Sequence, residues 1–556
     1  MKPGTWCLLA SLWLAVGAIA QPLDLAGDPA DLARVALGSD PGQASVAVWR
    51  DGHLRAATVR HDPGRAVGEP APLVTDTAPA LYEIGSISKI FTGLLLAQAV
   101  ERGDLALGDT LGGLLQGKVV FVSPDVAAIT LEQLVTHRSC LPRQFGELRT
   151  GAASVAQIRS ADRAALWAAL AGQKIARAAP CPALYSNYAM AVLGELLAER
   201  NGRSWGDLVR ERITGPLDLA DTVVQLGDKG SRLAPGHDGR RTAPTWDMQA
   251  FAGAGGLRSS VQELARFGQA LVQGRAGPFG AAAERMVAPL AAYRGGQIGY
   301  AVFVSGPPAR RTLSHDGQTG GYRALLVLYP DSGEVMAALV ANSQAPVSRL
   351  GGRLAATRYP VGGVAMAIDP MKLADYRGTF RVDRELALVC VVQHGALHVR
   401  STGGVFRAYL PVAPDVFTRP DGGAQLSFAR RDGVVVAATL EQSGNTTTAQ
   451  RSTEAAPDDA VLAPGAVAAY VGRYVSTRAF RSTVEFDVED LDGQMVVRSS
   501  AFPRQPVFPM AGRADRFHYD GGRAELQFER DASGRPVALV LHENGDMRAV
   551  RAAPGS

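Results

Sequence analysis

Residues 82–89 read Tyr82-Glu83-Ile84-Gly85-Ser86-Ile87-Ser88-Lys89, and Ile90-Phe91-Thr92-Gly93-Leu94-Leu95-Leu96-Ala97-Gln98-Ala99-Val100 follows directly. The second stretch is apolar nearly all round, which predicts a helix over 88–102 buried on every side. A large surrounding structure must exist to bury it. At roughly 3.6 residues per turn, Ser86 and Lys89 point to one side at the helix start, so the ammonium can reach the hydroxyl. That suits nucleophilic catalysis, because a serine hydroxyl is weak at its own pKa and a desolvated lysine can serve as its base. A helix start also offers backbone N–H groups to a developing oxyanion.

Working outward, residues 45–60 read as two short strands about the turn Asp51-Gly52. Helical periodicity recurs at 131–137, 154–171, 187–201 and 260–273, and strand patterns return at 298–305, 323–329 and 334–341. Strands at both ends of a helical middle predict one layered α/β (α+β) domain over 30–365. Its antiparallel sheet should join chain start to chain end, with helices on both faces. Beyond residue 370 the helical signal gives way to short alternating runs with Gly/Asp turns. Tyr376-Arg377-Gly378-Thr379-Phe380 is matched by Tyr470-Val471-Gly472-Arg473-Tyr474, Leu410-Pro411 by Phe508-Pro509, Phe417 by Phe517 and Phe428 by Phe528. The same order at a near-constant offset predicts two copies of one small all-β, barrel-like module, at 370–455 and 460–556. The Ala- and Pro-rich stretch 455–465 reads as their linker.

Composition bounds the function. Of 556 residues 47% are hydrophobic and 20% charged, with a net charge of +4, which is the profile of a folded globular protein with no basic field to attract nucleic acid. Residues 1–20 carry Lys2, an apolar run from Trp6 to Val16 and an Ala18-Ile19-Ala20 ending, the pattern of a cleaved signal peptide. No later segment approaches the length of a membrane span, so a secreted, periplasmic protein without stable membrane insertion is expected. In an oxidising compartment Cys140 and Cys181 can pair and staple their two loops if both border one site, the alternative being two buried thiols. Cys390 reads as a buried strand thiol. The cysteines show no metal-ligand spacing, and neither metal nor cofactor is expected.

Two further elements could join Ser86 and Lys89. Tyr185-Ser186-Asn187 precedes the helix at 187–201: the phenol of Tyr185 can shuttle a proton, and the Asn187 amide can hold both Lys89 and a substrate amide. His315-Asp316-Gly317-Gln318-Thr319-Gly320-Gly321 lies between predicted strands. Gly317 permits close approach of a substrate, the Gln318 N–H can be a second oxyanion donor beside that of Ser86, and His315 can donate a hydrogen bond or a proton.

Taken in this order the three elements resemble those of the penicillin-recognising serine hydrolases, most closely the class C β-lactamase branch. Leu134-Val135-Thr136-His137-Arg138-Ser139, Gly215-Pro216-Leu217-Asp218-Leu219 and Gly255-Gly256-Leu257-Arg258-Ser259-Ser260 also resemble its recurring connecting segments. The resemblance covers about 30–345 and implies a β-lactamase-like fold and an acyl-enzyme cycle. Ser86 would attack a carbonyl, Lys89 and Tyr185 would move its proton, and water would then release the acyl group with Tyr185 as base. Which of Lys89 and Tyr185 is the base in the first step stays open. One departure concerns substrate: His315 stands where β-lactamases of this branch carry lysine, and the same substitution is similar to its esterases and D-amino-acid peptidases. The expected activity is that of a serine hydrolase acting on a peptide or other amide, a β-lactam or a small ester, peptidoglycan-derived peptides included. A dedicated class C β-lactamase and a non-enzymatic penicillin-binding sensor or scaffold are the competing readings.

Overall fold

A computed structural model of the chain describes residues 23–62, 71–74, 78–144, 159–175, 178–181, 184–293, 296–361, 363, 366, 368, 370–383, 386–393, 396–402, 406–420, 422–456, 462, 465–476, 484–491, 494–499, 505–510, 512–519, 524–542 and 546–553. The signal peptide expected at 1–20 and most of the linker expected at 455–465 lie outside the described residues.

The hairpin expected about Asp51-Gly52 is formed by β1 (Gly42–Arg50) and β2 (His53–His61). Asp51 and Gly52 take φ of 51° and 78°, the left-handed pair that a two-residue turn needs to follow strand twist. Six later strands complete the sheet: β3 (Ala291–Tyr293), β4 (Gly296–Ile298), β5 (Phe303–Ser305), β6 (Thr312–Gln318), β7 (Arg323–Tyr329) and β8 (Glu334–Val340). Their order is β2-β1-β8-β7-β6-β5-β4-β3, all antiparallel. Pairing of Ala44 with Val340 through Trp49 with Val335 ties chain start to chain end, as expected.

Helices pack on both sides of the sheet, among them α1 (Pro29–Leu37), α2 (Ser88–Glu101), α4 (Val261–Val272) and α5 (Val347–Arg358), with α3 (Asn187–Arg200) packed against α2. Successive strand residues point to opposite faces, and both faces are apolar. Leu326, Leu328, Val335, Ala337 and Leu339 enter one core with α2, α3 and α4. Leu325, Val327, Met336, Ala338 and Val340 enter another with α1 and α5. The expected layered architecture, with helices on both faces, is therefore borne out.

One expected element is shorter than its pattern. The run 298–305 is broken into β4 and β5 by a turn in which Gly299 N–H donates to Val302 O at 2.9 Å. The turn sets Tyr300 against α2 at Gly93, where a Cβ would stand 2.1 Å from the Tyr300 carbonyl oxygen. Close packing on the buried helix has overridden the strand pattern. Of the stretch 154–171, residues 154–158 lie outside the described residues, 159–160 are helical, and Asp162 caps a helix over Arg163–Gly172, its carboxylate accepting from Ala165 N–H.

The carboxy-terminal part is all β, as expected. Strands β9 (Gly378–Arg381), β10 (Ala387–Gln393), β11 (Ala396–Ser401), β12 (Arg407–Ala413), β13 (Val416–Thr418), β14 (Ala424–Arg431), β15 (Val434–Gln442) and β16 (Asn445–Ser452) form a closed barrel. Nine strands between Gly472 and Arg551 form a second sheet, whose two edge strands, Gln505–Pro506 and Phe508–Pro509, are separated only by Val507. The sheet therefore curls back to near closure. The internal repeat is visible side chain by side chain. Tyr376 donates to Asp415 at 2.9 Å, and Arg430 holds that carboxylate at 2.8 Å. Tyr470, Asp515 and Arg530 repeat the arrangement at 2.8 and 2.6 Å.

Candidate active site

Local folding at the nucleophile segment is anchored from both ends. Tyr82-Glu83 pairs with Arg258-Ser259 as a short ladder. The Tyr82 hydroxyl is held by Gln43 Nε2 at 2.9 Å and Ser45 Oγ at 2.7 Å. Glu83, also buried, accepts from Trp246 N–H at 2.6 Å and faces Arg258 at 3.3 Å. Gly85 then turns the chain with φ of 50° into a tight turn over Gly85–Ile87, and α2 begins at Ser88.

The structure brings Ser86, Lys89, Tyr185 and Asn187 together. Lys89 is fully buried, and its Nζ lies 3.0 Å from Ser86 Oγ, 2.8 Å from Asn187 Oδ1 and 2.6 Å from the Ala254 carbonyl oxygen. Burial, assisted by the Arg143 cation and opposed by Asp316, holds the Lys89 pKa well below the usual lysine range. Tyr185 places its ring 4.8 Å from Lys89 Nζ. Burial pushes its phenol above the ordinary tyrosine range, although a hydrogen bond with Ser86 opposes the shift.

Tyr185 and Asn187 owe their positions to the segment 137–143. Leu184 N–H donates to His137 O at 3.0 Å, and Asn187 N–H to Arg143 O at 2.9 Å. Ser186 caps α3 through Ala189 N–H at 2.9 Å while its own hydroxyl donates to Pro142 O at 2.6 Å. The Cys140–Cys181 disulfide closes the same pair of segments, with Cα atoms 5.2 Å apart, and Cys390 is a buried free thiol.

Two groups escaped the sequence reading here. The His137 ring lies 4.4 Å from that of Tyr185, with Nδ1 accepting from Ser186 N–H at 3.3 Å. The Arg143 guanidinium sits 5.1 Å from the Tyr185 ring. His137 was present in a quoted connecting segment, but spacing alone did not join it to Tyr185.

Strand β6 closes the other side. Thr319 N–H donates to Tyr322 O at 3.1 Å, so ladder alternation leaves Gln318 N–H on the opposite edge, toward Gly85. A Cβ on Gly85 would stand 2.8 Å from that nitrogen. The two expected oxyanion donors, at Ser86 and Gln318, are thus held on backbone segments in direct contact.

Ser314, Asp316 and Gln318 line the cleft, while Gly317 packs on the nucleophile segment and His315, expected with it to orient substrate, is buried beside Tyr185. His315 is 1% exposed, its ring 4.8 Å from Phe303 and 6.3 Å from Tyr185, with Nδ1 2.6 Å from the Asp316 carbonyl oxygen. A Cβ on Gly317 would stand 2.0 Å from the Ile84 carbonyl oxygen. Strand alternation puts His315 and Gly317 on the same side of the strand, where Gly317 allows the close approach of the nucleophile segment. Among the described residues no group of three or more His, Cys, Asp or Glu could hold a metal.

A model of the Beta-lactamase family matches residues 38–358, more than half of the chain and the span that carries every one of these groups. The chain belongs to the Beta-lactamase family. This family member is similar to penicillin-binding protein 4 of Amycolatopsis lactamdurans, at 28% identity over 378 residues, covering 61% of this chain and 93% of that protein. It is also similar to the D-alanyl-D-alanine-carboxypeptidase/endopeptidase AmpH of Escherichia coli K12, at 30% identity over 37% of this chain and 53% of that protein. The chain thus spans about half of AmpH. A class C beta lactamase structure from Rhodobacter sphaeroides is similar at 20% identity and a TM-score of 0.49, covering 60% of this chain and 99% of that one. The protein is a serine hydrolase of the β-lactamase and penicillin-binding type. Among the described residues no helix is long and apolar enough to cross a membrane.

The geometry makes two expectations measurable. Gly85→Ala forces a methyl group between the two oxyanion segments, at a φ that disfavours any side chain. We expect kcat/KM to fall about 100-fold, the scale of losing one oxyanion donor, measured on an activated ester beside a thermal melt.

The second concerns acid stability. Burial, with Lys89 adding to it and Asp316 opposing, pushes the His315 pKa from 6.5 down to about 4. The unfolded chain therefore binds the proton first, and stability is lost as pH falls from about 6.5 to about 4, by about 3 kcal/mol. Denaturant melts across that window should show this slope in the native protein and its absence in His315→Gln.

Proposed function

We propose that this protein is an exported acyl hydrolase that works through an acyl-enzyme on Ser86, with Lys89 as the base that activates it. One observation carries the reading. Lys89 Nζ is buried and donates to Ser86 Oγ at 3.0 Å, to Asn187 Oδ1 at 2.8 Å and to the Ala254 carbonyl oxygen at 2.6 Å; once it has lost a proton, Asn187 and Ala254 can keep its two remaining N–H groups and its lone pair is free to take the Ser86 proton. The low pKa of Lys89 supports the neutral form at working pH.

In this mechanism Ser86 Oγ attacks the substrate carbonyl carbon as its proton passes to Lys89. The N–H groups of Ser86 and Gln318 stabilise the oxyanion. The Tyr185 hydroxyl, kept protonated by burial, relays the proton to the leaving group. The bond to the leaving group then breaks, giving the acyl-enzyme. Water attacks the ester carbonyl, its proton passing through the Tyr185 hydroxyl to Lys89; the tetrahedral intermediate then breaks its bond to Ser86 Oγ, which takes the proton back from Lys89, and the acid is released. Asn187 orients Lys89 throughout and fronts the cleft.

The substrate we propose is an amide or ester of a peptide-like acyl group, peptidoglycan-derived peptides included. A buried neutral His315 offers no fixed charge for the carboxylate of a β-lactam, which argues against a dedicated β-lactamase. The name of AmpH, a carboxypeptidase and endopeptidase, is in keeping with peptide substrates. Export to an oxidising compartment is supported by the Cys140–Cys181 disulfide.

Intact-mass spectrometry after mixing the protein with p-nitrophenyl acetate and, separately, benzylpenicillin tests the reading. An acetyl adduct absent from Ser86→Ala, clearing as ester is consumed, is expected. Ester hydrolysis that persists in the folded Ser86→Ala protein would overturn it, and the lifetime of any penicillin adduct separates peptidase from β-lactamase behaviour.

A further inference from the structure

The cleft before Ser86 has a wall that the layered sheet domain does not supply. Strands β15 and β16 of the closed barrel join through Ser443-Gly444. Leu440, Gln442, Ser443, Asn445 and Thr447 line the same cleft of about 1150 Å³ that Ser86, Tyr185 and Asn187 open into. Strand register explains why these residues act together. Leu440 pairs with Thr447 and Gln442 with Asn445, so all four side chains share one face of the ribbon. Glu441 and Thr446, paired with each other, lie on the other face.

The ribbon is seated by a specific contact. Asn445 Oδ1 accepts from Gly306 N–H at 3.1 Å. Ser443 and Gly444 take φ of 52° and 75°, and a Cβ on Gly444 would stand 2.6 Å from the Tyr359 ring and 3.0 Å from Gly306 Cα. Tyr359 is itself pinned, its hydroxyl 2.9 Å from Thr312 Oγ1 at the start of β6. The barrel tip is therefore keyed to the strand that carries Gln318.

We propose that this ribbon face is a specificity subsite for the uncharged, peptide-like part of the substrate remote from the scissile carbonyl. The proposal rests on the serine-hydrolase reading above and goes beyond it by assigning substrate selection to the barrel. Its chemistry sets the ligand class. The Gln442 carboxamide both donates and accepts, the hydroxyls of Ser443 and Thr447 do the same, and Leu440 adds an apolar patch. These groups match the alternating N–H and C=O of a peptide chain. The ribbon's charged residue in this stretch, Glu441, is on the opposite face, so the wall itself carries no ion to select a charged side chain.

The test uses the full chain and p-nitrophenyl acetate as the reporter reaction, with N-acetyl-tetraalanine amide, in L and D forms, as a competitive inhibitor. One form should inhibit. In the double variant Gln442→Ala/Thr447→Ala its inhibition constant should rise about tenfold, the scale of two lost hydrogen bonds. Thr446→Ala, on the outer face, should leave it unchanged. Gly444→Val, which forces the ribbon off Tyr359 without changing the identity of any lining side chain, should give a rise of the same order. An inhibition constant that stays constant across these variants, or a wild-type protein that neither peptide inhibits, overturns the subsite while ester turnover leaves the hydrolase reading intact. A wild-type protein inert toward the ester removes the hydrolase reading itself and the subsite with it.

Discussion

Ser86→Ala is expected to fold as the native protein does and to keep no more than about a thousandth of its turnover. Loss of a nucleophile commonly costs a factor of about 10³ to 10⁶ in kcat, the remainder coming from substrate binding and the oxyanion site. The stability side is mild, because alanine removes one oxygen from a turn already fixed by Gly85 and by the ladder of Tyr82-Glu83 with Arg258-Ser259. Initial rates on p-nitrophenyl acetate, beside a thermal melt and circular dichroism, decide the matter. A well-folded variant retaining a tenth of native turnover would place the nucleophile elsewhere.

Lys89→Met should be nearly as severe, with kcat/KM down about 1000-fold. The substitution keeps the length and apolar stem of the side chain, so the core of α2 stays filled. It removes the amine that takes the Ser86 proton, and it strips Asn187 Oδ1 and the Ala254 carbonyl oxygen of a donor, each at a cost of about 1–3 kcal/mol in stability. Lys89→Arg should not rescue activity, since a guanidinium does not give up its proton in this pH range. The pH profile adds a distinguishing readout. With a neutral Lys89 as base, native kcat/KM falls as pH drops through the lowered lysine pKa, and Lys89→Met should lose that limb. If the limb persists unchanged in the variant, the titrating group is another one.

Much of this arrangement was legible because it rests on local rules. The apolar run after Lys89 has no polar face, so burial on all sides followed from the sequence, and Ser86 and Lys89 had to meet because helix geometry places them together. The strand patterns flanking the helical middle pointed to the sheet's closure of start on end, since the centres of β1 and β8 are apolar on both faces. The barrel repeat was legible as well, because its Tyr, Phe and Pro positions recur in the same order at a near-constant offset; the acidic and basic partners of Tyr376 and Tyr470 came only with the structure. What was hidden is tertiary. The Gly93–Tyr300 contact broke a strand whose pattern was continuous. The packing of His137 under Tyr185 joins residues from separate segments, and no spacing reports it. The close approach of Gly317 to Ile84 follows from how β6 packs on the nucleophile segment, which the glycine-rich loop concealed. The barrel ribbon at the cleft was beyond reach for the same reason, its residues being unremarkable turn and strand types until Gly444 meets Tyr359.

The position of β1 in the sheet has a consequence for how the molecule comes into being. Its neighbours are β2, a few residues away, and β8, which ends at Val340. A chain emerging from its amino terminus can form the β1–β2 hairpin early, but one long edge of β1 stays unpaired until β8 is available. Such distant pairings fold slowly and leave an apolar edge open meanwhile. The serine that defines the chemistry is thus made early and armed late. Truncation anywhere before residue 340 should yield a chain that owns its catalytic residues but has no sheet to hold them, so assembly of the fold, rather than synthesis of Ser86, marks the moment the enzyme becomes able to act.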